Sequence, residues 1–119
     1  MIPKRRKAKK FGTDRGGPIR CREHLQWVRG HECVISEYLC FEDRIQAAHV
    51  RTGTDGGTGM KPSDCYAIPL CGFHHRLQHE IGEAAFEKEY RIDMKSLARE
   101  MWARSPAGIR YRREHEAKP

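Results

Sequence analysis

The chain has 119 residues, of which 38% are hydrophobic and 33% charged, and its formal net charge is +7. This length fits one domain with tails, and no apolar run approaches the roughly 20 residues that a membrane-spanning helix needs. Five cysteines lie near histidines, and no apolar stretch typical of a secretory signal follows the basic N-terminus. Metal ligation in a cytoplasmic protein is therefore favoured over a disulfide framework.

Residues 1–17 are basic and then rich in turn formers, which predicts a disordered arm. Six positive charges and no acid occur in the first ten residues: Lys4, Arg5, Arg6, Lys7, Lys9 and Lys10. Without these six charges, the net charge of the remaining chain is close to neutral. A basic arm on a nearly neutral domain suits a polyanionic partner such as DNA. A solvated tail that only keeps the chain soluble accounts for the same charge equally well.

The first half of the chain predicts a helix and one strand of a hairpin. Pro18 can open the helix, and Gly30 is placed to end it. Cys33 begins a short strand or knuckle, and the segment RIQAAHV reads as a second strand. The stretch RTGTDGGTGMKPSD is turn-forming throughout, so it predicts a loop between two strands. It lacks the spacing of a phosphate-binding P-loop.

The second half predicts the other strand of the hairpin, followed by helices. CYAIPL is the strand, and a helical pattern begins near Phe73 and is interrupted at Gly82. Asp93 is a good N-cap for the helix MKSLAREMWARS, which Pro106 and Gly108 end. The predicted fold class is α+β, with a folded domain over residues 18–106 and a charged, frayed tail over residues 107–119.

Two ligand sets can be drawn from the cysteines and histidines. The first set contains Cys33, Cys40, Cys71 and His74. Its last two members have C-x-x-H spacing, which lets a tight turn present two ligands to one tetrahedral zinc ion. A complete Cys3His site is fully ligated and therefore structural. Alternatively, Cys33 and Cys40 are simply small buried hydrophobic residues. Cys21 and His24 repeat the C-x-x-H spacing, so a different ligand set also stays open.

The second set is His75 and His79, which share one helix face one turn apart. Such a pair can hold one divalent ion and leave open positions for water and substrate, although many pairs at this spacing are only solvated surface groups. His49 ends the first hairpin strand, where a neutral imidazole could accept a proton from water. The alternative for His49 is a half-buried strand residue. Arg51 could contact phosphate or be a solvated edge charge.

The order AAHVR, a glycine-rich loop and then PLC-x-x-HH-x-x-x-H resembles the HNH, or ββα-metal (His-Me finger), nuclease superfamily. Within it, the chain resembles the small phage- and prophage-borne HNH proteins. The resemblance covers roughly residues 21–106. It implies a small ββα-metal domain with flanking helices and a zinc knot, acting as a metal-dependent DNA endonuclease that hydrolyses phosphodiester bonds.

The resemblance also implies roles for individual residues. His49 matches the general base, and His75 matches the final metal ligand of the family motif. His79 matches a second helical ligand found in colicin-type DNases, and Arg51 is expected to help hold the phosphate. The implied catalytic ion is Mg²⁺, Mn²⁺, Ni²⁺ or Zn²⁺. The Cys3His set matches the zinc knot that some family members carry.

Two positions depart from the family pattern. Ala48 stands where many members have Asp or His as a further metal ligand, and Tyr66 aligns with the central Asn that braces the loop. Asp64 lies two residues before Tyr66 and is a candidate for either function, including metal ligation. The departures favour a second hypothesis, a non-catalytic, zinc-stabilised nucleic-acid-binding module. A third hypothesis is an adaptor in a phage recombination or packaging complex.

Overall fold

A computed structural model describes residues 18–35, 40, 44–56 and 61–115. The predictions made for the basic arm at residues 1–17 lie outside the described residues. The elements in chain order are α1 (Arg22–Arg29), β1 (Ile45–His49), β2 (Ala67–Cys71), α2 (Gly72–Ile81), α3 (Glu83–Tyr90), α4 (Met94–Arg104) and α5 (Pro106–His115). The α+β fold class is confirmed. Over the described part of the chain, no helix combines the length and apolar character that a membrane span requires.

The sheet is one antiparallel hairpin in which Ile45 faces Cys71 and His49 faces Ala67. All five residues of β2 are buried, because α1, α2 and α4 all contact this strand. The two strands predicted on either side of the glycine-rich loop are confirmed. Of the short strand or knuckle predicted from Cys33, the described residues show a turn at positions 34 and 35 and no strand. The same segment lies alongside β2, since the Val34 N–H donates to the carbonyl of Pro69 at 2.9 Å.

The hairpin passes into α2 without an intervening loop. Cys71 is the last residue of β2 and the N-cap of α2, where its Sγ accepts a hydrogen bond from the His74 backbone N–H at 3.5 Å. Gly82 ends α2 at a φ of 89°, a conformation that favours glycine, and α3 begins directly after it. Asp93 caps α4 by accepting from the Ser96 N–H at 3.1 Å. The predicted break at Gly82 and cap at Asp93 are confirmed.

The C-terminal prediction is wrong over residues 107–115, which belong to a helix. Pro106 is the first residue of α5, a position at which its fixed φ suits a helix and its missing N–H costs nothing. The Ser105 hydroxyl accepts from the Gly108 N–H at 3.2 Å, as an N-cap does. Ala107 and Gly108 are buried. A Cβ on Gly108 would lie 2.0 Å from the Trp102 carbonyl oxygen, so glycine is what lets α5 approach α4.

One apolar core joins the hairpin to the helices that follow it. Its fully buried members include Ile35, Ile68, Leu70, Phe86 and Met94. Burying each such side chain stabilises the fold by about 1.5–3 kcal/mol relative to exposure. The core fixes β1, β2 and α2 relative to one another, and these three elements carry His49, Cys71 and the histidines of α2.

Candidate metal centre and candidate active site

Four side chains converge at the junction of β2 and α2, and they are the predicted Cys3His set: Cys33, Cys40, Cys71 and His74. Their ligand atoms all lie within 4.8 Å of one another. Cys71 and His74 are brought together by the first turn of α2. Cys33 is held close because Val34 is bonded to Pro69 in β2. All five cysteines are free of disulfides, so this group is positioned to bind a metal ion.

The distances within this cluster, the Cys3His cluster, fit tetrahedral coordination. The Nδ1 atom of His74 lies 3.3 Å from Cys71 Sγ, 3.6 Å from Cys40 Sγ and 3.7 Å from Cys33 Sγ. In a tetrahedral zinc site with bonds of about 2.3 Å to sulfur and about 2.0–2.1 Å to nitrogen, the S···N separation is about 3.6 Å. The four protein ligands would fill the coordination sphere and leave no position for water or substrate.

Burial controls the ionisation of the side chains in this cluster. Burial raises the pKa of the Cys33 thiol. Burial, followed by the charge of Cys33, raises the pKa of Cys40 to about 12. Burial also lowers the pKa of His74, which keeps its imidazole neutral and able to ligate. The thiols of Cys33 and Cys40 therefore resist ionisation, and a bound cation removes that resistance because thiolates are the ligating form.

A second group of potential ligands, His75 and His79, lies on α2. The Nε2 atoms of His75 and His79 are 3.3 Å apart, as expected for residues one helical turn apart. His75 donates from Nδ1 to the side-chain oxygen of Gln46, at 2.6 Å. That bond fixes the ring and directs the lone pair of Nε2 towards His79. Burial, then the charges of His79 and His49, lower the His75 pKa, so this ring is neutral and competent to bind a metal ion.

His49 forms a pair with Asp64. Its Nε2 donates to Asp64 Oδ1 at 2.9 Å, and the side chains are 17% and 5% exposed. The other carboxylate oxygen accepts from the Cys21 N–H at 2.7 Å, and Arg20 lies 3.5 Å away. Burial raises the Asp64 pKa, but the bonds from His49 and Cys21 outweigh it and lower the pKa overall. Asp64 therefore stays ionised and is engaged with His49 rather than with the histidine pair.

His49 and His79 line the same surface cavity, of about 300 Å³, together with Arg51 and Thr52. The start of α3 forms another part of the cavity rim. There the Glu83 carboxylate accepts from the backbone N–H groups of Arg51 and Thr52, both at 2.8 Å. Glu83 thus fixes the loop that follows His49. A histidine at the end of β1, His49, and a histidine of α2, His79, thus line one cavity.

Sequence reasoning missed three residues that support this cavity. Gln46 orients His75, Glu83 holds the loop, and Arg20 lies beside Asp64. Gln46 is the one polar residue before His49 in the strand IQAAH. A polar side chain in an otherwise apolar strand is the sequence signal that could have identified it. Glu83 follows the helix-breaking Gly82, where an acidic first turn is common. Nothing in the local sequence around Arg20 points to a contact 44 residues away.

The remaining sequence candidates have other surroundings. Ala48 is fully buried in the core and contributes no ligand. Tyr66 does not bond to His49; its backbone oxygen accepts from the Val50 N–H at 2.8 Å. Across the residues the structure describes, Cys21 and His24 do not join any group of three or more potential metal ligands. His24 is buried between tryptophan rings, and neither ring nitrogen has a hydrogen-bond partner.

A family model described as a protein of unknown function, DUF968, matches residues 15–106, and the chain belongs to this family. No curated protein and no solved structure matches the chain. The match covers α1 to α4, both candidate metal sites and the His49–Asp64 pair.

Proposed function

We propose that the chain is a metal-dependent DNA endonuclease of the HNH, ββα-metal type, with zinc in its Cys3His cluster. The observation that carries the proposal is the shared cavity. A histidine at the end of a hairpin strand and a histidine on the following helix face the same opening, and the cavity is large enough for a phosphate group. Its walls contribute imidazoles and an arginine, which are the groups that phosphodiester hydrolysis uses.

The His49–Asp64 pair supports the assignment of His49 as general base. Because Asp64 accepts a hydrogen bond from the protonated Nε2 of His49, the neutral ring has its lone pair on Nδ1. That atom is where a proton from an attacking water would be taken. Asp64 stabilises the imidazolium that results, since an ionised carboxylate favours the charged form of its partner. In this proposal Asp64 is a positioning residue for His49 and not a metal ligand.

The geometry of the histidine pair supports a role in holding a divalent ion. Two imidazole nitrogens bound tetrahedrally to one ion at about 2.0–2.1 Å lie about 3.3 Å apart, and the His75–His79 distance is 3.3 Å. An ion bound there would supply positive charge to a phosphate oxygen and to the departing 3′ oxygen. Arg51 lines the same cavity and adds a planar donor for phosphate.

DNA is the proposed substrate and partner. Phosphate neutralisation by Lys and Arg gives sequence-independent affinity that weakens as salt rises, and the net charge of +7 fits such a partner. The six basic residues of the N-terminal arm lie outside the described residues, and we assign them this nonspecific role. Zinc is the ion proposed for the Cys3His cluster because three thiolates and one imidazole are the donor set that structural zinc sites use.

The test is nicking of supercoiled plasmid by His49→Ala, with zinc content and circular dichroism measured on the same sample. Removal of a general base lowers the rate by about 10²–10⁴-fold, and the zinc content should stay at the wild-type value. His31→Ala is the matched control, since His31 bonds to Trp27 in α1 and lies outside the cavity. Undiminished nicking by His49→Ala would remove His49 from the mechanism.

The second candidate is a zinc-stabilised nucleic-acid-binding module without catalysis. The observation in its favour is Ala48, a buried residue at the position where many HNH proteins supply a further metal ligand. It predicts that wild-type protein binds DNA but leaves plasmid intact with Mg²⁺, Mn²⁺, Ni²⁺ or Zn²⁺ added. The endonuclease proposal predicts nicking with at least one of these ions.

A further inference from the structure

A second surface cavity, of about 540 Å³, lies where the turn before β2 meets α4 and α5. Three aromatic rings line it, from Tyr66, Trp102 and Tyr111, together with the arginines Arg99 and Arg112. The described lining residues include no carboxylate. The cavity therefore combines flat apolar walls with positive charge, and neither the catalytic proposal nor the Cys3His cluster uses any of these residues.

The walls are held in place by the protein itself. Arg112 donates to the backbone oxygens of Trp102 and Ala103, at 3.2 and 2.9 Å, so its guanidinium is fixed at the C-terminal end of α4. The rings of Trp102 and Tyr111 pack with centroids 5.6 Å apart and planes tilted by 57°. Arg99 lies on the exposed side of α4 and interacts electrostatically with the Tyr66 hydroxyl. The aromatic surface is thus preformed, and a ligand need not order it.

We propose that this cavity binds one unpaired nucleotide of a nucleic-acid strand, stacking its base on the aromatic walls and placing its phosphate near Arg99. Every base has an aromatic face, so stacking on Tyr or Trp is tolerant of sequence, and arginine complements both the ring and the phosphate. The combination matches the recognition of single strands.

The cavity is linked to the His49–Asp64 pair through the chain. Asp64, Cys65 and Tyr66 are consecutive, with Asp64 bonded to His49 and Tyr66 lining the cavity. The Tyr66 carbonyl accepts from Val50, the residue after His49. A strand bound in the cavity would therefore lie one short turn from His49. The inference goes beyond the endonuclease proposal and does not depend on it, since a nucleotide can bind here whether or not His49 cleaves the strand.

The experiment measures the affinity of the full-length protein for a 5′-fluorescein-labelled oligothymidylate of eight nucleotides, by anisotropy, without added divalent ion. Tyr66→Leu removes one stacking surface, and Tyr66→Phe retains it. Loss of one stacked aromatic weakens single-strand binding by about tenfold, so we expect that loss for Tyr66→Leu and less than a twofold change for Tyr66→Phe. Zinc content and circular dichroism verify the fold of each variant.

A second pair of variants keeps the test decisive if Tyr66→Leu does not fold. Arg99 is exposed, so Arg99→Gln should fold and should weaken binding severalfold. Arg113→Gln makes the same charge change on α5 outside the cavity, and it should have a smaller effect. Thymidine monophosphate should compete with the oligonucleotide at concentrations at which inorganic phosphate does not. Equal affinities for Arg99→Gln and Arg113→Gln, or equal competition by phosphate alone, would overturn the assignment.

Discussion

The Cys3His cluster and the His49–His79 cavity lie on the same hairpin and helix, yet they differ in the number of ligand atoms that the protein brings together. In the cluster, four ligand atoms already lie within 4.8 Å of one another, and three of the four residues are buried. At the cavity, His79 is exposed, and its Nε2 lies 3.3 Å from that of His75, the preceding histidine of α2. The first is closed and suits a structural ion, whereas the second, in our proposal, keeps open positions for water and phosphate, as catalytic metal sites do.

The difference also explains how adjacent residues serve separate sites. His74 and His75 are neighbours in α2, and successive residues of a helix point about 100° apart. His74 turns to the three sulfur atoms, and His75 turns to Gln46 and His79. Two successive residues of α2 thus face the Cys3His cluster and the proposed second metal site, respectively.

Cys71→Ser should have the largest effect of any single change. Cys71 is a cluster ligand, the last residue of β2 and the N-cap of α2, so its loss removes an ion whose binding contributes about 10 kcal/mol or more in small zinc domains. We expect a chain without bound zinc and without cooperative thermal unfolding, as measured by elemental analysis and circular dichroism. Cys65→Ser is the matched control outside the cluster. Retention of zinc and of the fold by Cys71→Ser would contradict the structural role of the cluster.

Acid should destabilise the protein through His24 before it protonates the carboxylates. Burial, only partly opposed by Asp64 and reinforced by His49, lowers the His24 pKa from an ordinary value of 6.5 to about 4. The unfolded chain takes up the proton near pH 6.5 and the folded chain only near pH 4. Stability due to the neutral ring is therefore complete above pH 6.5 and is lost progressively between pH 6.5 and pH 4.

His24→Leu isolates this effect. The wild type should lose about 1.4 kcal/mol of unfolding free energy for each pH unit below 6.5 through His24. Between pH 7.5 and pH 5, the unfolding free energy of the variant should therefore rise by about 2 kcal/mol relative to that of the wild type. Urea unfolding at the two pH values measures the difference, with both proteins at equal zinc content so that metal loss cancels. Parallel pH dependences for the two proteins would show that His24 is not the group responsible.

Asp64→Asn separates positioning from folding in the open site. The substitution keeps the shape but removes the charge that accepts from His49 and Cys21, which should cost about 1–3 kcal/mol of stability. We expect at least a roughly tenfold loss of plasmid nicking with unchanged zinc content. Asp55→Asn is the matched control, since Asp55 accepts from the Ser63 N–H in the same loop without touching His49. Equal nicking by both variants would exclude Asp64 as a positioning residue.

His79→Ala should have the smallest effect on stability and so sharpens the contrast with Cys71. His79 is exposed and belongs to no cluster in the core, and such surface changes usually alter the free energy of unfolding by less than about 0.5 kcal/mol. The protein should keep its zinc but lose binding of a second divalent ion in calorimetric titration. A large loss of stability would show that the pair is structural.

Local features of the fold were predictable from the sequence, because they depend on neighbours in the chain. The glycine-rich loop fixed the hairpin, Gly82 marked a helix break and Asp93 a cap. The ligands His74 and Cys71 follow from their C-x-x-H spacing. The α5 helix differs from the prediction because Pro106 and Gly108 are typical of a helix end, whereas Ser105 followed by Pro106 is equally typical of a helix start.

Contacts between distant segments were not predictable in the same way. Asp64 engages Cys21, 43 residues away, and Gln46 engages His75, 29 residues away. No periodicity or spacing encodes such pairs, since they exist only once the hairpin and helices have packed. The proposed role of Asp64 therefore comes from its two hydrogen bonds, whereas its position in the sequence leaves metal ligation and loop bracing both open.

The most direct test of two separable metal sites is a crystal structure of the zinc-loaded protein soaked with Mn²⁺, with anomalous scattering recorded to distinguish the ions. We predict zinc among the three sulfur atoms and His74, and manganese on His75 and His79 on the side that faces His49. A single zinc peak with no ion on the histidine pair under saturating Mn²⁺, Ni²⁺ and Zn²⁺ would contradict the account.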